Sequence, residues 1–253
     1  MILEKFKLDG KVAVVTGAGR GLGRAAAIGL AEAGADVAVV GVTSTKETAT
    51  QIRSLGHRVC EIRADLRERA SVRRIVDTTV KDLGGIDILV NNAGIIRRAP
   101  LLEFSEQDWD DVIKVNQDAV FFLSQATARQ MVLQGRGGKI INIASMLSFQ
   151  GGIRVPSYTA SKSAVVGLTR LLANELAVHR INVNAVAPGY MATDNTAPLR
   201  ADAARSAEIL SRIPAGRWGA PEDLQGAIVF LASAAADYVT GYTMAVDGGW
   251  LAR

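Results

Sequence analysis

The stretch VVTGAGRGLGRAAAIGLAEAGA, residues 14–35, decides the fold, because it passes from an apolar run through a turn with four glycines into an alanine-rich, helix-like segment. Glycine lets backbone N–H groups approach a phosphate, and the positive end of the following helix attracts its charge. The same turn could simply connect a strand to a helix without binding a ligand. The order of strand, glycine turn and helix, however, favours a nucleotide-binding site. The candidate contacts are Thr16, Gly17, Gly19, Arg20, Gly21, Leu22 and Gly23.

Short apolar runs alternate with longer segments of helical periodicity along the rest of the chain. This pattern predicts an α/β fold, in which a seven-stranded parallel sheet carries helices on both faces of a single doubly wound Rossmann domain spanning residues 1–253. Strands are predicted near residues 12–16, 36–42, 59–64, 86–91, 139–144, 181–187 and 243–247. Helices are predicted near residues 22–33, 46–55, 71–83, 106–134, 157–178, 201–211 and 221–232.

Residues 188–220 are the longest stretch without strand character, and they include Pro188, Gly189, Pro198 and Pro214. Such an insertion in a compact domain is often a lid. An open parallel sheet binds its ligand outside the carboxyl ends of its strands, where the strand order reverses. We therefore expect a substrate lid within 188–220, close to the nucleotide.

Composition excludes several classes of protein. The chain has 29 basic and 25 acidic residues spread along its length, without the basic block of a nucleic-acid-binding segment. Cys60 is the only cysteine and there are two histidines, so neither an internal disulfide nor the usual zinc sites can form. No apolar run approaches the roughly 20 residues needed to cross a bilayer, and charges interrupt the first eleven residues. We expect a cytoplasmic protein with no metal, nucleic-acid or membrane partner.

The segment SYTASKS, residues 157–163, places Tyr158 and Lys162 four positions apart. At that spacing both side chains leave the same face of a helix. A phenol with a pKa of roughly 10 is a poor proton acceptor, but a nearby positive charge favours its ionised form. The pair is predicted to move a proton.

The end of the second predicted strand bears on the choice of cofactor. An acidic residue there would bond the adenosine ribose and reject a 2′-phosphate, but Gly41 occupies this place and Val42 follows. Arg20 could meet a 2′-phosphate or could be a solvated surface charge. On these residues alone, NADP is as plausible as NAD.

Five features, in this order, resemble the short-chain dehydrogenase/reductase family: T-G-x-x-x-G-x-G at 16–23, NNAG at 91–94, Asn116, Ser145 and Y-x-x-x-K at 158–162. The resemblance implies an NAD(P)-dependent oxidoreductase acting on CH–OH groups, with catalytic residues Asn116, Ser145, Tyr158 and Lys162. In such enzymes the tyrosine is the base, the lysine also bonds the nicotinamide ribose, the serine holds the substrate oxygen, and the asparagine supports a water-mediated proton path.

The same resemblance implies a homotetramer and further cofactor contacts. Tyr158 and Lys162 would touch the cofactor as well as the substrate. The other implied contacts are Asp65, Leu66, Asn92, Ala93, Gly94, Pro188, Gly189 and Thr193. By position alone, Asp65 could equally cap the helix that follows it.

Within that family, NNAGIIRRAP at 91–100, APGYMATDNT at 187–196 and AVDGGWLAR at 245–253 resemble a group of sugar-acid dehydrogenases. This likeness implies hydride transfer at a secondary alcohol or ketone of a deoxy sugar acid, 2-dehydro-3-deoxy-D-gluconate or 2-deoxy-D-gluconate. It favours NAD and does not exclude NADP. The alternatives are a 3-oxoacyl-thioester reductase, whose cofactor region the stretch 41–44 resembles, and a non-catalytic nucleotide-sensing protein.

A sugar-acid substrate needs a cation near its carboxylate, and the fork of an arginine suits that group. Arg154 lies between Ser145 and Tyr158 and is the first candidate, with Gln150 as a polar partner. Arg97 and Arg98, which follow NNAG, are the others.

Overall fold

The computed structural model describes all residues 1–253 and contains one seven-stranded parallel sheet with the order β3-β2-β1-β4-β5-β6-β7. The strands are β1 (Val12–Thr16), β2 (Asp36–Gly41), β3 (Val59–Arg63), β4 (Ile88–Asn91), β5 (Gly138–Ile143), β6 (Ile181–Pro188) and β7 (Thr243–Val246). This confirms the predicted fold class, and each observed strand overlaps a predicted one.

Nine α-helices connect the strands and cover both faces of the sheet. They are α1 (Gly21–Glu32), α2 (Lys46–Ser54), α3 (Ala70–Leu83), α4 (Glu106–Ile113), α5 (Ala119–Gln134), α6 (Pro156–Leu176), α7 (Ala197–Ala201), α8 (Ala203–Arg212) and α9 (Gln225–Ala232). None of them combines the length and the apolar character needed to cross a membrane.

The central strands are mostly apolar because both faces of the sheet are covered, and Thr16, Asn91 and Asn142 are the buried polar exceptions. Val14 and Val15 point to opposite faces of β1, and both are fully buried. They belong to different core clusters: Val15 packs with residues of α1 and α9, and Val14 packs with residues of α3 and α5. These two layers hold the strand ends rigidly.

The strand order reverses at β1, which lies between β2 and β4. Helix α1 leaves the carboxyl end of β1 and leads to β2, whereas the chain reaches β4 on the other side only after β3 and α3. A crevice therefore opens above the ends of β1 and β4, where a doubly wound sheet binds its ligand.

One helix differs from the prediction, because the single helix predicted over 106–134 is interrupted at Lys114–Asp118 by a π-helical turn that carries Asn116. Within residues 188–220, α8 confirms the helix predicted over 201–211, whereas the short α7 was not predicted. A bridge between Met191 and Gly219 closes the base of this segment. Periodicity cannot reveal a π turn, because the extra residue shifts the helical face without changing residue types.

Candidate active site

The glycine turn brings the start of α1 directly against β1 and β4. A Cβ on Gly23 would lie 2.2 Å from the Gly17 carbonyl oxygen and 2.3 Å from Asn92 Nδ2. Gly17 and Gly21 have φ values of 66° and 53°, which favour glycine. The first turn of α1 therefore faces the crevice closely enough for its free N–H groups to meet a phosphate.

The side chain of Thr16 joins this turn to the segment after β4 by hydrogen bonds. Its hydroxyl donates to the Val90 carbonyl at 3.4 Å and accepts from the backbone N–H groups of Asn92 and Ala93, both at 3.0 Å. The side chain of Asn92 donates back to the Thr16 carbonyl at 2.8 Å. Because Thr16 is only 1% exposed, its side chain serves here as a clamp between β1 and β4, and its contact with the cofactor stays a prediction.

The crevice continues past the ends of β2 and β3 as a cavity of about 450 Å³. Asp65 and Leu66 line it, as predicted, together with Val42 and Arg67, which sequence reasoning had not assigned. Asp65 does not cap α3, whose N-cap is Arg69. It instead accepts from the backbone N–H and guanidinium of Arg67, the latter at 2.7 Å, and this pairing lowers the pKa of Asp65.

Tyr158 lies in the inner end of the same cavity. Burial raises the pKa of its phenol, whereas hydrogen bonding with Ser145 and the positive charge of Arg98 act to lower it. Ser145 is the N-cap of a short turn after β5, and its hydroxyl also accepts from the Leu147 N–H at 3.2 Å. Strand β5 and helix α6 thus place a hydroxyl beside a phenol.

Lys162 lies one turn further along α6, and its Nζ is 5.8 Å from the centre of the Tyr158 ring. The ammonium donates to the Ile143 carbonyl at 2.5 Å, and burial lowers the pKa of Lys162 from 10.5 to about 8. The sequence predicts that Lys162 favours the ionised form of Tyr158, and this stays a prediction. In the structure burial raises the pKa of Tyr158, the opposing contributions come from Ser145 and Arg98, and the ammonium of Lys162 points to the end of β5.

Asn116 occupies the π turn and is fully buried. Its side chain accepts from the Ile95 N–H and donates to the Ile95 carbonyl, both at 2.9 Å, and reaches Ser161 Oγ at 3.3 Å. It holds the segment after NNAG against α6. Its predicted part in a proton path stays a prediction.

The first asparagine of NNAG also stiffens the centre of the sheet. Asn91 donates to Ser124 Oγ and to Asn142 Oδ1, both at 2.9 Å, and Asn142 donates in turn to Thr169 Oγ1 at 2.9 Å. All four side chains are buried. This chain of hydrogen bonds joins β4, β5, α5 and α6 directly beneath the crevice.

The predicted lid segment meets the crevice through its first turn, Asp194–Thr196. Arg20 pairs with Asp194 at 2.9 Å, and Arg98 donates to the Asn195 carbonyl at 3.1 Å. Thr193, Asp194 and Asn195 all line the cavity. Of these, sequence reasoning found only Thr193, since nothing in a loop's composition indicates which side chains turn inward.

The structure gathers most of the predicted site residues, but not all, in the cavity lining. Present are Gly17, Gly19, Arg20, Gly21, Leu22, Gly23, Asp65, Leu66, Asn92, Ala93, Gly94, Arg97, Tyr158, Lys162 and Thr193. Outside it lie Thr16, Arg98, Asn116, Ser145, Gln150, Arg154, Pro188 and Gly189. Gly189 packs against β7, where a Cβ would lie 2.6 Å from Asp247 Cα. Its contact with the cofactor, like that of Pro188, stays a prediction.

Comparison with known proteins identifies relatives over the full chain. The family model of the short chain dehydrogenases matches residues 11–204. The 2-dehydro-3-deoxy-D-gluconate 5-dehydrogenase of Escherichia coli K12 is 64% identical, with 100% of both chains covered. The protein of the same name from Bacillus subtilis 168 is 49% identical over 99% of this chain and 98% of its own.

Solved structures are equally similar in fold. Gluconate 5-dehydrogenase from Burkholderia cenocepacia, in complex with NADP and tartrate, is 44% identical, covers 100% of both chains and superposes with a TM-score of 0.95. A protein from Agrobacterium tumefaciens with bound NADP is 56% identical and has a TM-score of 0.92, with 98% of this chain and 99% of that chain covered.

Proposed function

The chain belongs to the short-chain dehydrogenase family, and from that premise we propose that it transfers a hydride between a nicotinamide cofactor and a secondary alcohol or ketone of 2-dehydro-3-deoxy-D-gluconate. The observation that carries the chemistry is the placement of Tyr158, with Ser145 beside it and Lys162 one turn away, at the inner end of the crevice that begins at the glycine turn.

The choice of substrate is supported by the relatives. Two of them that bear the name 2-dehydro-3-deoxy-D-gluconate 5-dehydrogenase are 63–64% identical over the whole length of both chains. The match extends over the whole chain, including the lid and the loop before α6, the segments that would enclose a substrate. The fold alone carries no such information, since one fold serves many substrates.

The residues of the site fit a dinucleotide. Gly17 and Gly23 leave no room for a side chain where α1 begins, Asp65 faces the cavity at the far end, and Lys162 would reach a ribose. When bound, the nicotinamide supplies the hydride chemistry. Tyr158 would take or return the proton of the substrate hydroxyl, and Ser145 would hold the same oxygen as charge develops on it.

For the cofactor we propose NAD as the preferred form, with NADP also accepted. No acidic side chain stands at Gly41 to repel a 2′-phosphate, so NADP is not excluded by charge. The two arginines that line the adenosine end are already engaged, Arg20 with Asp194 and Arg67 with Asp65. A 2′-phosphate would therefore gain little binding energy there. Asp194→Asn releases Arg20 from its ion pair, so it should raise kcat/KM for NADPH more than for NADH.

The experiment is a steady-state panel with NADH and NADPH. It compares 2-dehydro-3-deoxy-D-gluconate, 2-deoxy-D-gluconate and an acetoacetyl thioester, and is repeated with Tyr158→Phe. We expect turnover of a sugar acid, and we expect Tyr158→Phe to lower kcat about 1,000-fold while nucleotide binding persists. Faster reduction of the thioester would favour a 3-oxoacyl-thioester reductase. Full activity of Tyr158→Phe would refute the assigned base.

We also propose a cytoplasmic homotetramer. Exposed apolar side chains are spread over the outer helices and the loop before β7, among them Leu133, Leu171 and Tyr242. The proposal of a tetramer rests on the family resemblance, and these side chains are available for contacts between subunits. Light scattering coupled to size exclusion tests the assembly, and a monomer mass would refute it.

A further inference from the structure

The groups proposed to act on the substrate oxygen lie on two separate elements. Ser145 lies in the turn after β5, whereas Tyr158 and Lys162 lie on α6, and the loop 149–154 between these elements is mostly exposed. Because Ser145 and Tyr158 would have to hold one oxygen atom, even a small shift of the turn against the helix would slow the reaction. The distance between the turn and α6 must therefore be fixed by contacts outside the loop.

The hydroxyl of Ser148 makes such a contact. It accepts from the backbone N–H of Ser145 at 3.3 Å and donates to the backbone carbonyl of Lys162 at 2.6 Å. A carbonyl oxygen has two lone pairs, so Lys162 can accept this bond while α6 continues through it. A single hydroxyl thus joins the main chain of one catalytic residue to the main chain of another.

The end of β5 holds the other end of Lys162. The ammonium donates to the carbonyl of Ile143, the last residue of β5, at 2.5 Å, and the side chain is 4% exposed. The backbone carbonyl of Lys162 is bound by Ser148, five residues further along the chain. The segment 143–148 therefore contacts both ends of this lysine, and Ser148 supplies the contact that does not involve the ammonium.

A second serine also connects the turn to α6, but it bonds to neither catalytic residue. The hydroxyl of Ser163 donates to the Leu147 carbonyl at 3.4 Å, which is longer than usual for such a bond, and Ser163 is exposed. Ser148 and Ser163 thus join the same two elements through the same chemical group. Only the bond from Ser148 ends on the backbone of Lys162.

We propose that Ser148 is a positioning residue for the reaction, whose hydroxyl fixes the Ser145 turn against α6 and so keeps the hydroxyl of Ser145 beside the phenol of Tyr158. The inference rests on the proposed function, in which these two groups hold the same substrate oxygen. Ser148 does not line the cavity. Its loss should therefore change the rate of the chemical step and leave nucleotide binding intact.

The first test compares three variants with the wild type, using the sugar acid that the wild type turns over. We expect Ser148→Ala to lower kcat about tenfold, because the turn loosens, and to leave the nucleotide Kd from a fluorescence titration within about twofold. Ser148→Thr keeps the hydroxyl, so its kcat should stay within about threefold of the wild type. Ser163→Ala is the matched control and should change kcat by less than about twofold.

The pH profile provides a measurement that a general loss of packing would not change. Hydrogen bonding with Ser145 acts to lower the pKa of Tyr158, so a looser turn lets that pKa rise. In the direction of alcohol oxidation, Ser148→Ala should therefore move the rising limb of kcat/KM to higher pH, and Ser148→Thr should not. The charged groups nearest the phenol, Arg98 and Lys162, are the same in both variants.

Several results would overturn the inference while the proposed function stands. They are a wild-type kcat in Ser148→Ala, an unmoved limb in its pH profile, a loss that Ser148→Thr shares in full, and an equal loss in Ser163→Ala. Full activity of Tyr158→Phe on the same substrate would instead show that the assigned base, and with it the proposed function, is wrong.

Discussion

Replacement of Lys162 by methionine should make the protein more stable at neutral pH, by an amount that shrinks as the pH rises. The ammonium is 4% exposed and has one hydrogen-bond acceptor, the Ile143 carbonyl at 2.5 Å. Burial lowers the pKa of Lys162 from 10.5 to about 8. Methionine is similar in length and apolar, so it removes the buried charge without opening a large cavity.

The size of the effect follows from proton linkage. With these two pKa values, the charge of Lys162 costs about 3 kcal/mol of unfolding free energy at pH 7 and about 1.4 kcal/mol at pH 9.5. The sign is fixed because the unfolded chain binds more protons than the folded one between pH 8 and 10.5, so the stability of the wild type rises with pH there. The variant also loses the hydrogen bond to the Ile143 carbonyl, which costs about 1 kcal/mol of unfolding free energy. Because this cost is the same at both pH values, it does not affect the difference between them.

The measurement is urea unfolding of the wild type and Lys162→Met at pH 7 and pH 9.5, without nucleotide and at one protein concentration. The stability advantage of the variant should fall by about 2 kcal/mol between the two pH values. Lys81→Met, at an exposed position on α3, is the matched control and should show a constant difference. A difference for Lys162→Met that is unchanged or larger at pH 9.5 would refute the reasoning, because the lysine would then carry its charge in both states.

Three further predictions concern other parts of the chain. Gly23→Ala should abolish nucleotide binding in a fluorescence titration, since its Cβ would lie 2.2 Å from a backbone oxygen, whereas Gly226→Ala, with no atom within 4 Å, should leave binding unchanged. Asp87→Ala should lower the urea-derived stability by about 2 kcal/mol, because it leaves the buried Val12 N–H without an acceptor and removes the partner of the half-exposed Arg136; a loss below 1 kcal/mol would contradict this. Burial raises the pKa of Cys60 to about 12, so its thiol should not react with Ellman's reagent at pH 8 until denaturant is added.

The fold and the inner part of the site could be predicted from short-range patterns. Apolar runs between helical segments predict a covered parallel sheet, and the four glycines after β1 predict the turn and the start of α1. The spacing between Tyr158 and Lys162 places both on one face of α6, as the structure confirms. These features depend on the backbone geometry of a few neighbouring residues, and a sequence encodes that geometry directly.

Only the tertiary structure shows which charged side chains are paired with each other. The sequence offers Arg154, Arg97 and Arg98 as candidates for one carboxylate. In the structure Arg97 pairs with two aspartates, Arg98 donates to the carbonyl of Asn195, and Arg154 makes no ion pair. The same holds for Tyr158, whose pKa is raised by burial, against the opposing effects of Ser145 and of an arginine 60 positions away in the chain. The sequence thus determined which chemical groups are present and on which elements they lie, whereas three-dimensional folding decided which of them meet. Coulomb energies and desolvation depend on distance and burial in space, and neither quantity is set by separation along the chain.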